Sequence, residues 1–306
     1  MSASGSTRAI VAALTANAGI AVAKFIGFLL TRSSSMLAES VHSVADTSNQ
    51  ALLLLGQRKS RRDATELHQF GYGRARFFYS FVVALVLFSL GAVFAVYEGY
   101  HKIVHPEPLT APVIAIVILL VAIGLESYSF RTAVVESRPL KGAASWWQFI
   151  RQSRNPELPV VLLEDTGALL GLVFALFGVG LTILTGDPVW DGVGTLMIGI
   201  LLGVIAVVLM IEMHSLLIGE GATAAELDSI RGALEQTEHV DRIIHLRTQY
   251  LGPEEMLVGA KIALAPTTDL ATVASAIDRA EAAVRAAVPT ATVIYLEPDL
   301  DRSLAR

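Results

Sequence analysis

Met36-Leu-Ala-Glu39-Ser-Val-His42-Ser-Val-Ala-Asp46-Thr-Ser-Asn49 lies inside an apolar stretch long enough to cross a bilayer. His42 and Asp46 stand at i and i+4, so a helix presents both on one face, the arrangement by which a single helix offers two metal ligands. Glu39 and Asn49 extend the same stripe at intervals of three, four and three. Ionisable groups at membrane depth are expensive and by default mark a path for an ion or a proton. Hydrogen bonding between helices is the plainer alternative for such a stripe.

Outward from this segment the chain reads as membrane-embedded. Of its 306 residues 53% are hydrophobic and 17% charged, and the mean hydropathy is +0.57, far more apolar than a soluble domain. Stretches approaching the 20 or so residues a span requires are Ala9–Leu30, Met36–Leu55, Phe77–Tyr97, Pro112–Ser129, Pro159–Leu184 and Val193–Ile211. The first carries Arg8 before it and no small-residue cleavage motif after it, so it reads as a retained span. Six spans over residues 1–211 are therefore expected, followed by a soluble domain over 212–306, where charged residues return.

Basic residues set the orientation. Arg58, Lys59, Arg61, Arg62, Arg74 and Arg76 fall in the second loop, and Arg131, Arg138, Lys141, Arg151 and Arg154 in the fourth. The other loops hold little beyond Arg32 and Lys102. Both termini and the soluble domain are thus expected in the cytoplasm, and with no arginine-rich leader at the start the expected location is a plasma (inner) membrane. The tail alternates in order α-β-β-α-β: helix Ala224–Thr237, strands Val240–Tyr250 and Met256–Leu264 about Leu251-Gly252-Pro253, helix Leu270–Val288 and strand Ala291–Leu296. That order predicts a ferredoxin-like α+β sandwich.

The chemistry open to the chain is narrow. With a net charge of -5 it is not built for nucleic acid, and with no cysteine any metal must be held by His, Asp, Glu or backbone oxygen. The fifth span supplies two carboxylates in Val161-Leu-Leu-Glu164-Asp165-Thr166-Gly167. Adjacent residues on a helix point about 100° apart, so Glu164 and Asp165 need separate roles, and Glu164 could instead sit at the interface near the helix N-terminus. Gly167, Gly171, Gly178 and Gly180 let a neighbouring helix approach. Lys24, Glu98 and Glu126 are accounted for by snorkelling or interhelical pairing, and His68, His101, His105, His214, His239 and His245 read as structural, His68 alone being a further candidate for metal contact. An intramembrane metalloprotease is disfavoured, because its His-Glu-x-x-His signature is absent.

In Ser35-Met36-Leu37-Ala38-Glu39-Ser40-Val41-His42-Ser43-Val44-Ala45-Asp46-Thr47-Ser48-Asn49-Gln50, followed by His68-Gln69-Phe70-Gly71-Tyr72-Gly73-Arg74, the chain resembles the cation diffusion facilitator family over nearly its whole length. Its wording is similar to the mitochondrial-type branch of zinc transporters and their bacterial relatives. The resemblance implies six spans with a cytoplasmic ferredoxin-like tail, a homodimer joined through that tail, and exchange of a divalent metal for protons by alternating access. It assigns metal ligation to His42, Asp46 and Asp165. The family's usual fifth-span histidine falls on Val161, leaving water or Glu164 to fill the fourth position. Tyr72, Tyr295 and Glu297 stand where some relatives bind further zinc, so those sites are expected to be weak or absent. An imidazole among carboxylates favours a borderline cation, so Zn²⁺ is expected as transported substrate, with Mn²⁺, Fe²⁺ or Co²⁺ as alternatives and no cofactor or enzymatic activity. A transport-incompetent scaffold or metal sensor of the same fold is the competing expectation.

Overall fold

In hydrocarbon every backbone N–H and C=O needs a partner within the segment, so long apolar runs fold as helices. The computed structural model describes residues 3–109, 111–265 and 268–299, with the side chains of 3–13, 15, 16 and 34 left aside. Two units result: Met1–Arg58 with Arg76–His214, and Lys59–Ala75 with Ser215–Arg306.

The helices of the first unit are α1 (Ala3–Thr31), α2 (Ser34–Ser60), α3 (Ala75–Val104), α4 (Pro112–Lys141), α5 (Trp146–Gln152), α6 (Glu157–Thr185) and α7 (Val189–Ile218), with α2 and α7 running on into the second. Among the described residues, α3, α4, α6 and α7 are long and apolar enough to cross a membrane, and Asn17–Thr31 of α1 is a shorter apolar helix. Polar residues of the stripe keep α2 off that count. The helices expose apolar faces and bury small or polar ones. On α4, Val113, Val117, Leu120, Val121 and Tyr128 are exposed while Ala115, Leu119, Ala122 and Glu126 are buried. Such broad exposed apolar surface belongs against lipid rather than water.

Several ends differ from the apolar runs. α3 continues past Tyr97 to Val104 and stops where His105 leaves helical geometry ahead of Pro106; within it Leu87–Val93 is π-helical. α4 starts on Pro112, suited to a first helical turn, and extends beyond Ser129 to Lys141. Hydropathy marks where a helix enters lipid, whereas its backbone runs on until a cap or proline stops it. The short α5 was not anticipated. Ser145 caps it, accepting from the Gln148 N–H while Gln148 accepts from the Ser145 N–H. Its Ile150 packs with Ala133 of α4 and Leu162 of α6, and Val161 joins that apolar cluster.

The second unit holds α8 (Ala224–Glu235), β1 (Arg242–Gly252), β2 (Glu255–Ala263), α9 (Leu270–Ala287) and β3 (Val293–Asp299). The sheet order is β1-β2-β3, β1 antiparallel to β2 and β2 parallel to β3. On β2, Met256, Val258, Ala260 and Ile262 alternate inward, and Ile230, Leu234, Ala276, Ala280 and Val284 of the helices are buried with them. Glu297 stands opposite Lys261. Lys261 bonds Glu297 and Asp299, each at 2.9 Å; these bonds, Glu297 first, hold its ammonium above the ordinary lysine range.

Glu226 joins helix cap to sheet: it accepts from the Thr223 N–H and hydroxyl, both at 2.8 Å, and from the Tyr250 hydroxyl at 2.6 Å. Glu226→Ala should destabilise this unit by about 1–3 kcal/mol. Limited proteolysis of the full chain would read this as faster cleavage within residues 215–299, and an unchanged rate would remove Glu226 from the stabilising contacts.

Candidate metal site within the helical unit

A helix places residues three and four apart on one face, and α2 turns its stripe inward. Glu39, His42 and Asn49 are fully buried and Asp46 is 8% exposed. His42 Nδ1 lies 3.5 Å from Asp46 Oδ1. Neither ring nitrogen of His42, nor Asp46 Oδ1, has a hydrogen-bond partner among the described residues. Of the seven histidines it is the buried one. Where contacts are given for the others, His68 packs edge-on against Tyr72 at 4.6 Å between ring centroids, and His101 lies between Tyr97 and His105.

α6 brings its two carboxylates to different neighbours, as their angular separation requires. Asn49 Nδ2 of α2 donates to Glu164 Oε1 at 2.6 Å, whereas Ser129 Oγ of α4 donates to Asp165 Oδ2 at 3.1 Å. Glu164 is buried, with 5% of its surface exposed. Asp46 lies within electrostatic reach of Asp165, and Glu164 within reach of both. Among the described residues no three His, Asp or Glu side chains are gathered closely enough to hold an ion together as they stand. The structure thus pairs His42 with Asp46 and gives Glu164 and Asp165 separate hydrogen-bond partners. Val161, in its apolar cluster, adds no ligand.

Sequence reading undervalued two groups. Lys24 of α1 is 1% exposed and Glu126 of α4 is 6% exposed, so of the two expected roles, snorkelling and interhelical pairing, the structure shows the pairing. Lys24 Nζ lies 3.1 Å from Glu39 Oε2 and 4.0 Å from Glu126 Oε1, and donates to Ser43 Oγ at 2.9 Å. A signal was present, since each is an ionisable residue within an apolar helix, but their pairing joins three helices and leaves no local pattern. Glu39 also rests on α6, where a Cβ at Gly171 would come 2.6 Å from Glu39 Oε1.

A buried imidazole whose ring nitrogens have no hydrogen-bond partner among the described residues, with carboxylates nearby, is a donor set suited to a borderline divalent cation. The sequence matches the cation efflux transmembrane domain over residues 10–218. It is 32% identical over 260 residues to the mitochondrial proton-coupled zinc antiporter SLC30A9 of Xenopus laevis, covering 84% of this chain and 46% of that one. To the human SLC30A9 antiporter it is 32% identical over 250 residues, 81% of this chain and 44% of that one. Metal tolerance protein C4 of Arabidopsis thaliana is 30% identical over 261 residues, 84% of this chain and 57% of that protein. The chain therefore spans about half the length of these relatives. It belongs to the cation efflux family, the cation diffusion facilitators, whose members are membrane transporters of divalent metals.

Proposed function

We propose that the chain carries divalent transition-metal cations out of the cytoplasm in exchange for protons, with zinc as the preferred cargo. The observation that carries this reading is the buried His42–Asp46 pair, 3.5 Å apart with both imidazole nitrogens unpartnered among the described residues. His42, Asp46 and Asp165 are the ligands in this reading, with Glu164 or water filling the fourth position. A metal and a proton compete for the same imidazole and carboxylates, so a site that alternates between the two sides of a membrane couples the two flows. The zinc preference draws on the imidazole and on relatives named as proton-coupled zinc antiporters.

The remaining organisation is part of the same proposal. α1, α2, α3, α4, α6 and α7 are six spans, residues 1–211 form the membrane domain, and residues 212–306 a ferredoxin-like domain through which two copies pair. The distribution of Lys and Arg supports cytoplasmic termini. A plasma (inner) membrane is the proposed location, although the SLC30A9 relatives are named as mitochondrial; fractionation of cells expressing the tagged chain separates the two.

One observation favours a second reading, a scaffold or sensor of the same fold: among the described residues no three ligand side chains are gathered. Proteoliposomes with an acid interior decide between them. Zinc uptake driven by the gradient, above that of manganese, cobalt or iron, is the expected result. Preference for another metal would overturn zinc and keep the exchanger, while no flux of any metal from folded protein would favour the scaffold or sensor.

A further inference from the structure

The ammonium of Lys24 has the surroundings of a bound cation. Its 1% exposed side chain ends against Glu39 Oε2, Ser43 Oγ and Glu126 Oε1 at 3.1, 2.9 and 4.0 Å. These groups come from α2 and α4, while the lysine itself enters from α1. Glu39 precedes His42 by three residues and Ser43 follows it directly, so the charge sits about one turn from the His42–Asp46 pair. It is within electrostatic reach of both members. Stability alone is a weak reason for such a group, because desolvating two charges offsets much of their attraction and an apolar pair of similar volume often does as well.

We propose that Lys24 is a tethered cation in a second subsite formed by Glu39, Ser43 and Glu126, and that it sets the affinity of the neighbouring site for its metal. This rests on the reading of His42 and Asp46 as cargo ligands. A fixed positive charge close to a divalent ion in a weakly screened interior weakens its binding. A transporter gains from that, because a cation held too tightly among several carboxylates leaves slowly. Lys24 is therefore an affinity-setting residue that touches no cargo.

Charge arithmetic gives the test. Lys24→Met removes one positive charge, Glu39→Gln one negative charge, and the double variant Lys24→Met/Glu39→Gln restores the wild-type net charge without the ion pair. Zinc affinity of the purified full chain is measured by competition with a chelating dye, and zinc flux in proteoliposomes. Lys24→Met should bind zinc about tenfold more tightly or better with a lower maximal flux, Glu39→Gln about tenfold more weakly, and the double variant within about threefold of wild type. A lysine that only braces helices would leave the affinity of folded Lys24→Met unchanged and would lower thermal stability in the double variant as well, an outcome that overturns the proposal. Should Lys24→Met fail to fold, the double variant against Glu39→Gln carries the same comparison, since equal affinities there also overturn it. His42→Ala keeps the two readings apart: zinc binding untouched by it would remove the cargo site, whereas binding lost in His42→Ala but unchanged in Lys24→Met would remove only the role of Lys24.

Discussion

His42→Leu should abolish metal flux while leaving the helical unit as stable as before, or more so. The imidazole is fully buried, and both nitrogens lack hydrogen-bond partners among the described residues. A buried polar group without a partner costs about 1–3 kcal/mol, and leucine fills a comparable volume without that penalty. Stability and function should therefore part company. In zinc-free buffer the variant should melt at the wild-type temperature or above it. Zinc in excess stabilises whatever folded state binds it, by about 2.7 kcal/mol at one hundred times the dissociation constant. That increment should appear in the wild type and vanish in His42→Leu, with flux falling about 100-fold or more if the proposed role holds, as loss of a direct ligand exceeds the effect of losing its supports. Asp165→Ala should lower flux as well, since the proposed site draws a carboxylate from α6. Flux and zinc-induced stabilisation surviving in His42→Leu would show that metal passes elsewhere.

What made that site legible was spacing. Glu39, His42, Asp46 and Asn49 are local in sequence, and a helix alone determines that they share a face; the structure buries all four. The divergence of Glu164 and Asp165 was equally local, following from the rotation between adjacent helical residues, and it appears as separate bonds to Asn49 and Ser129. Everything depending on which helix lies next to which was hidden. Lys24 meets Glu39 across 15 positions of sequence, and Ser129 meets Asp165 across 36. Neither contact leaves a periodic trace. The α-β-β-α-β order of the tail was readable because alternation within strands and spacing within helices are properties of each segment, though β3 proved to run to Asp299 rather than Leu296. α5 was missed because seven residues are too few for a periodic signal, leaving its Ser145–Gln148 cap as the only clue.

The glycines of α6 show the same division and lead to the second large effect. Gly167, Gly171, Gly178 and Gly180 had one expected role, but a Cβ at Gly180 would meet nothing within 4 Å. At Gly178 a Cβ would lie 2.8 Å from the Trp190 carbonyl oxygen, 3.2 Å from Gly194 Cα and 3.3 Å from Asp191 Cα. The facing Gly194 is as tight, with the Phe174 carbonyl oxygen at 2.7 Å. These neighbours are backbone, so none can swing aside, and any side chain at 178 must push α7 away. Close backbone approach at small residues is what holds membrane helices together where no hydrophobic drive separates them from lipid. The displaced segment also carries buried Asp191, whose Oδ1 accepts from Ser33 Oγ at 2.8 Å and whose carbonyl accepts from Ser35 Oγ at 3.0 Å. Moving α7 would pull Ser33 from a buried carboxylate and Ser35 from a buried carbonyl as well as open the packing. Gly178→Ala should therefore lower the melting temperature by several degrees, and Gly178→Leu should cut the yield of monodisperse protein on size exclusion to about a tenth, in keeping with overpacking penalties of about 1–3 kcal/mol or more added to the lost contacts. Gly180→Ala should do the reverse, since it faces open space and alanine favours a helix by up to about 1 kcal/mol. Equal losses at 178 and 180 would mean that glycine serves α6 itself rather than its contact with α7.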